Sequence, residues 1–317
     1  MIDVSIMVEG QMGVTWSNWK RFAAAVEALG YAGLYRSDHF TDPQPPSSDS
    51  LEMVISLTYL ADRTERIHFG PCVAPVSFRE PVMFVRQAMQ IDDLSGGRMV
   101  LGLGAGWQER EHHMFGYPLG DVKTRMARFE EGLEVAWRLL RSDGPATFEG
   151  QFFQIRDAEL LPKPQRPGGP PIMIGGNGPK RTMPLTARFA DIWNGVFLTP
   201  AQFTERSQSL DALLPQHGRR PEDVRRTVMT GVFFGTNERD LERRIGWRGG
   251  LGGRSVAEVI AQMQHEGRVV AGGPEECAAQ IRAYADAGAQ EIFLQWLDLD
   301  DIAGLEEIAD LVLPQLT

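Results

Sequence analysis

Cysteine is nearly absent. Two in 317 residues, Cys72 and Cys277, are too few and too far apart for a disulfide framework or a paired-cysteine zinc site. No apolar run approaches the roughly 18 residues that a membrane helix needs. The opening stretch, MIDVSIMVEG, has neither a basic lead nor a cleavable apolar segment, so a reducing cytoplasm is the expected setting. Lysine is scarce as well: it supplies four of the 32 basic residues. Against 42 acidic residues this leaves a formal net charge of −10, which argues against sequence-independent binding to nucleic acid or to an anionic membrane. There is no phosphate-binding P-loop and no G-x-S-x-G nucleophile elbow.

What is present is a rhythm. Short β-type runs alternate with amphipathic helical runs. The strand candidates are 3–8, 32–36, 67–74, 98–103, 171–174, 191–193, 227–234 and 291–296. Helical runs lie between them. In 15–29, Trp19, Phe22, Ala23, Val26 and Leu29 share a face, and in 124–141 so do Met126, Phe129, Leu133, Ala136, Trp137 and Leu140. Two stretches break the alternation. Residues 146–164 read as a hairpin excursion turning at Glu149-Gly150, and 246–253 is glycine-rich. Eight strands, intervening helices and no linker predict an α/β fold: a single (β/α)8 TIM barrel over 1–317, with insertions after strands 4 and 7. A doubly wound sheet would carry a dinucleotide fingerprint. Residues 9–14 do not supply one, and in GLGAGW the third small residue is replaced by Trp107.

A barrel puts chemistry at the C-terminal ends of its strands. Strand two ends in Ser37-Asp38-His39-Phe40. His39 titrates near neutrality and can move a proton or hydrogen-bond a cofactor, while Asp38 orients the chain or caps the next segment. Gly104 and Gly106 open the end of strand four to a flat ligand. Strand five ends in Gly175-Gly176-Asn177-Gly178-Pro179-Lys180-Arg181, where glycines and a helix start favour an anion such as phosphate, with Lys180 and Arg181 adding charge. Cys72 has no base nearby in sequence and reads as a small buried hydrophobe. His112 and His113 are adjacent, so they point apart on a helix and no metal site is expected. Trp16, Trp107 and Trp193 fall near strand ends, either lining an aromatic pocket with Phe40 or packing the barrel.

Taken in order, GYAGLYRSDHF (30–40), FREP (78–81), GRMVLGLGAGW (97–107), residues 148–164, IGGNGPKRTMPLTARFADIW (174–193) and GPEECAAQIRAYADAGA (273–289) resemble the bacterial luciferase-like family of flavin- and deazaflavin-dependent oxidoreductases. The resemblance spans nearly the whole chain. It implies a (β/α)8 barrel with an insertion after strand seven, a role 246–253 would fit as a lid. The Asp38-His39 pair looks like the branch that uses coenzyme F420, in which the histidine sits near the reactive carbon of the deazaflavin. That branch often holds a non-proline cis peptide behind the ring, here the Cys72–Val73 bond. The phosphate grip would fall on Gly176, Asn177 and Gly178 with Lys180 or Arg181, and Trp107 would join Gly104 and Gly106 at the cofactor. Sugar-phosphate dehydrogenases of this branch carry a glutamate where this chain has Trp107, so the resemblance does not extend to that activity. The implied partners are a small organic substrate and a second copy of the chain. The alternative is an FMN-dependent monooxygenase on the same barrel, served by a separate reductase.

Overall fold

The computed structural model describes residues 2–246 and 253–316. Its strands, in chain order, are β1 (Asp3–Val8), β2 (Gly33–Arg36), β3 (His68–Pro71), β4 (Ala74–Pro75), β5 (Leu101–Gly104), β6 (Ala146–Glu149), β7 (Gln154–Ala158), β8 (Ile172–Gly175), β9 (Ile192–Val196), β10 (Arg225–Phe234), β11 (Val269–Gly272) and β12 (Glu291–Gln295). The main sheet runs β3-β2-β1-β12-β10-β9-β8-β5-β4, and every pairing in it is parallel. The two ends of that path are one interrupted strand. β3 pairs with β2, β4 pairs with β5, and Phe69 bridges to Met99, so the barrel closes. This is the (β/α)8 architecture expected from the alternation.

The helices are α1 (Trp16–Ala28), α2 (Met53–Arg63), α3 (Pro81–Leu94), α4 (Glu109–Phe115), α5 (Val122–Arg141), α6 (Thr182–Phe189), α7 (Pro200–Leu213), α8 (Glu238–Gly246), α9 (Val256–His265), α10 (Pro274–Asp286) and α11 (Ile302–Leu311). Their starts are chemically marked. Thr15 and Asn18 form a capping box at α1, Thr199 and Gln202 another at α7, and Pro81 occupies the first turn of α3. Met7, Tyr35, Val100, Met173, Ile192, Met229 and Phe293 fill the barrel interior, with Tyr35 stacked on Phe293 at 4.2 Å between centroids. A larger core lies between the strands and the inner helix faces.

Both insertions are where the sequence put them. After the fourth barrel strand come α4, α5 and the antiparallel β6–β7 hairpin, turning just after Glu149. After the seventh come α8, α9 and β11, which pairs with the outer end of β10. Most of the proposed glycine-rich lid, 247–252, lies outside the described residues. The structure adds three elements absent from the sequence reading: α4, α8 and β11. α8 carries a strongly charged sequence with no buried residue, and only Leu241 and Ile245 mark its apolar side. Trp137, expected on the buried face of α5, is 41% exposed; Gly132, Val135 and Leu139 are buried instead.

Candidate active site

The barrel mouth encloses a cavity of about 590 Å³ lined by residues from all eight barrel strands and by the loop leading into α4 together with Glu111. His39, Cys72, Val73, Gly104, Gly106, Trp107, Gly175 and Gly176 all line it. These come from the ends of β2, β3, β5 and β8, four separate places in the chain.

His39 is held by a residue the sequence reading passed over. Its Nδ1 lies 2.8 Å from the Glu111 carboxylate, whose second oxygen accepts the Phe40 backbone N–H at 2.9 Å. Glu111 is 1% exposed, one helical turn into the insertion after β5. Among the described residues nothing engages Nε2, the ring nitrogen left for the cavity. Burial pulls the imidazole pKa down, but the hydrogen bond and the charge of Glu111 outweigh it and hold His39 above its ordinary value. Trp107 meets the ring edge to face at 5.5 Å and is 58% exposed, a wall at the rim.

Asp38, named with His39 as a catalytic candidate and expected to orient the chain or cap the next segment, does the orienting and faces away from the cavity. It takes a two-pronged grip from Arg79 at 2.8 and 2.7 Å, and Arg79 also pairs with Glu52 at 2.7 Å. Asp38 therefore ties the β2 end to the segment before α3, and it does not line the cavity. Its neighbour Ser37 binds Gly10 and Gln11, joining the ends of β1 and β2.

The opposite wall is built around Val73. The Cys72–Val73 peptide is cis. A β-carbon on Gly104 would stand 2.6 Å from a Val73 methyl, and one on Gly175 at 3.2 Å. Glycine at both positions is what lets the Val73 side chain sit between two neighbouring strands. Cys72 is partly buried and burial pushes its thiol pKa up, so it is no nucleophile.

The β8–α6 loop divides its residues. Gly176 has φ +118, a conformation that side chains disfavour, and its carbonyl accepts the Trp193 indole N–H at 2.9 Å. Asn177 exchanges two hydrogen bonds with the backbone of Val196, extending the sheet by a side chain rather than facing the cavity. α6 begins with no side-chain cap; the Met183 N–H donates to the Gly178 carbonyl at 3.0 Å, Pro184 has no N–H, and Gly178, Lys180 and Arg181 lie exposed beside the helix start. Arg181 reaches the Val122 carbonyl at 3.0 Å. Lys180, Arg181, Asn177 and Gly178 thus sit at the end of the cavity's glycine wall, not within it.

Other candidates resolve into packing. Trp193 is fully buried and stacked on Phe203; Trp16 is half exposed against Tyr59. His112 is buried between Ser77 and the Gln108 carbonyl, and His113 is exposed. Among the described residues no group of three His, Cys, Asp or Glu side chains is placed to hold a metal ion. Four polar lining residues went unnamed in the sequence: Gln11, Asn194, Glu9 at the end of β1 and Gln295 at the end of β12, the last two joined at 2.6 Å. For Glu9 and Gln295, position at a strand end was the available signal.

The comparisons agree with this fold. The model of the luciferase-like monooxygenase family matches residues 5–291. An F420-dependent glucose-6-phosphate dehydrogenase of Amycolatopsis mediterranei is 26% identical, over 93% of this chain and 93% of its own. A 4-hydroxyprotoasukamycin monooxygenase of Streptomyces nodosus subsp. asukaensis is 34% identical over 50% of this chain and 42% of its own. An F420-dependent secondary alcohol dehydrogenase, solved with an F420-acetone adduct, superposes with a TM-score of 0.84 at 17% identity, over 100% of this chain and 99% of that one. The chain belongs to the luciferase-like monooxygenase family, as one of its oxidoreductases.

Proposed function

We propose that the protein transfers hydride between coenzyme F420 and a small organic substrate, with His39 handling the proton. The observation that carries this is the His39–Glu111 pair: a histidine at the end of the second barrel strand, fixed through Nδ1, kept basic, and free at Nε2. The full-length likeness to an F420-dependent relative supports the cofactor. When bound, F420 supplies a carbon that takes up or releases hydride.

The chain's own residues fit such a group. A cavity of about 590 Å³ is within the usual range for a cofactor or ligand site. Val73, seated between Gly104 and Gly175, presents an apolar wall to a flat ring. Lys180 and Arg181, exposed beside the start of α6, offer positive charge to a phosphate. Glu111 fixes the His39 ring through Nδ1 and favours its protonated form, the one that can donate a proton. Trp107 screens that exchange from water. The same reading carries a cytoplasmic place and a homodimer, which light scattering on the eluting protein checks.

A second reading has one observation behind it, the 34% identity to a monooxygenase over half of the chain. In it FMN occupies the same cavity and a separate reductase supplies electrons. Titration of the purified protein with F420 and with FMN, followed by cofactor and tryptophan fluorescence, separates the two. Tight F420 binding with weak FMN binding is the expected result. Tight FMN binding together with oxygen consumption would move the protein to the monooxygenase reading.

A further inference from the structure

The charge of the cavity is one-sided. Among the described residues lining it there is no lysine or arginine, yet two carboxylates are present, Glu9 and Glu111. Glu111 has its counterpart in His39. Glu9 has none: it accepts hydrogen bonds from two neutral amides, Gln295 at 2.6 Å and Gln11 at 3.1 Å. The cations nearby make no ion pair with it: Arg36, buried beside Gly10, lies close enough for its charge and that of Glu9 to interact, but donates to the Ser37 and Leu51 carbonyls and the Ser56 hydroxyl. Arg79 is held by Asp38 and Glu52. Arg110 is held by Thr41, Ser47 and the Asp42 carbonyl. The cavity therefore holds a carboxylate with no cationic side chain in salt-bridge contact, inside walls made of Met7, Met12, Met229 and Phe197.

Such a carboxylate attracts positive charge more strongly than the same group in water, because apolar walls lower the local dielectric. Trp107 adds a second, independent feature: a largely exposed indole at the rim of the same cavity, whose face attracts cations. An aromatic face and an unpaired carboxylate on one apolar pocket are the chemistry that recognises an organic cation. They are the wrong chemistry for a phosphate or a carboxylate, which would meet like charge at Glu9.

We infer that the substrate is an apolar compound carrying a cationic nitrogen, a protonated amine or an iminium ion, and that Glu9 is the residue that selects it. This rests on the reading of the cavity as a substrate site. Glu9 acts on which substrate enters; His39 and Glu111 remain the proton pair.

The test uses three probes of one shape: benzylamine, benzyl alcohol and benzoate, cationic, neutral and anionic at neutral pH. Their affinities are measured by calorimetry on the protein with and without bound F420. Benzylamine binds tightest and benzoate weakest, the two separated by tenfold or more, on the order expected of one charge-assisted hydrogen bond. Glu9→Gln keeps the shape and one of the two amide contacts, removes the charge and collapses that gap. Glu9→Asp keeps the charge and preserves the order, so a folding defect in one variant does not decide the matter. Glu109→Gln, which removes an exposed charge outside the cavity, leaves the order intact. Equal binding of benzoate and benzylamine by the unaltered protein, or a gap that survives Glu9→Gln, overturns the inference. If the charge order holds but F420 does not bind, the proposed function falls and the selectivity stands. If F420 binds and turns over while the order is absent, the selectivity alone falls.

Discussion

Two glutamates are buried at opposite ends of the same barrel, and they do different things. Glu111 sits at the C-terminal mouth, 1% exposed, with one oxygen on His39 and the other on a backbone N–H. Glu291 opens β12 at the N-terminal end, 6% exposed, accepting from the Ser5 hydroxyl and ion-paired with Arg225. Glu111 is turned toward a cavity and spends its charge on a group that titrates. Glu291 is turned toward strand starts, where its partners are a hydroxyl and a guanidinium. Burial alone therefore does not mark a functional carboxylate; what marks it is a titratable partner that opens on empty space.

The sharpest way to break the comparison is at His39. His39→Asn leaves an amide that donates to Glu111 but carries no titratable proton. Turnover is expected to fall by about 10²–10⁴, the usual contribution of a positioned acid or base, with the thermal melt little changed. Activity near that of the unaltered protein would remove His39 from the chemistry and make the two glutamates equivalent.

Glu111→Gln has the next largest effect. His39 is raised above its ordinary value by Glu111 against the downward pull of burial, so removing the charge lets burial lower it. In the direction that reduces substrate, His39 must be protonated, and the rate falls as pH rises through its pKa. The variant moves that fall to lower pH and costs about tenfold at neutrality. The same sign governs stability. The pairing is fully stabilising below the unfolded histidine value of about 6.5 and is lost as pH rises through the raised native one. Urea midpoints for the two proteins therefore differ more at about pH 6 than at about pH 9. An unshifted rate profile would show that Glu111 does not tune His39.

Gly104→Ala tests the wall rather than the proton. Its β-carbon would meet a Val73 methyl at 2.6 Å, so Val73 must shift into the cavity. Overpacking of this kind costs about 1–3 kcal/mol, so F420 affinity is expected to weaken by about tenfold or more. Fluorescence titration reads it directly, and unchanged affinity would place the ring elsewhere.

The barrel was legible because alternation and strand-end glycines are local signals, and a strand-end histidine inherits its place from the architecture. Glu111 was not legible: it reads as one of several acids in a charged run, EREHH, and only the insertion after β5 folds it back 72 residues onto His39. Asp38 misled for the converse reason. It is adjacent to His39 in sequence, but neighbours on an extended segment point to opposite sides, and Arg79 was waiting on the far one. Trp193 carried an equal promise at a strand end and turned out to pack outside the barrel on Phe203.

Glu291→Gln is the smallest effect and the control for all the others. Burial raises the Glu291 carboxyl pKa, more than Ser5 and Arg225 lower it. For an acid raised on folding, the native state holds its proton more readily than the unfolded chain. Its contribution therefore favours folding at low pH and weakens as pH rises from the unfolded value of about 4.3 through the native one. The neutral amide cannot show that dependence. Compared with the variant, the unaltered protein should lose relative stability as pH rises from about 4, while turnover per folded molecule stays the same. A loss of turnover in well-folded Glu291→Gln would tie the N-terminal end of the barrel to the chemistry. The two carboxylates would then have to be explained together, through Tyr35 and Phe293 stacked between them in the barrel interior.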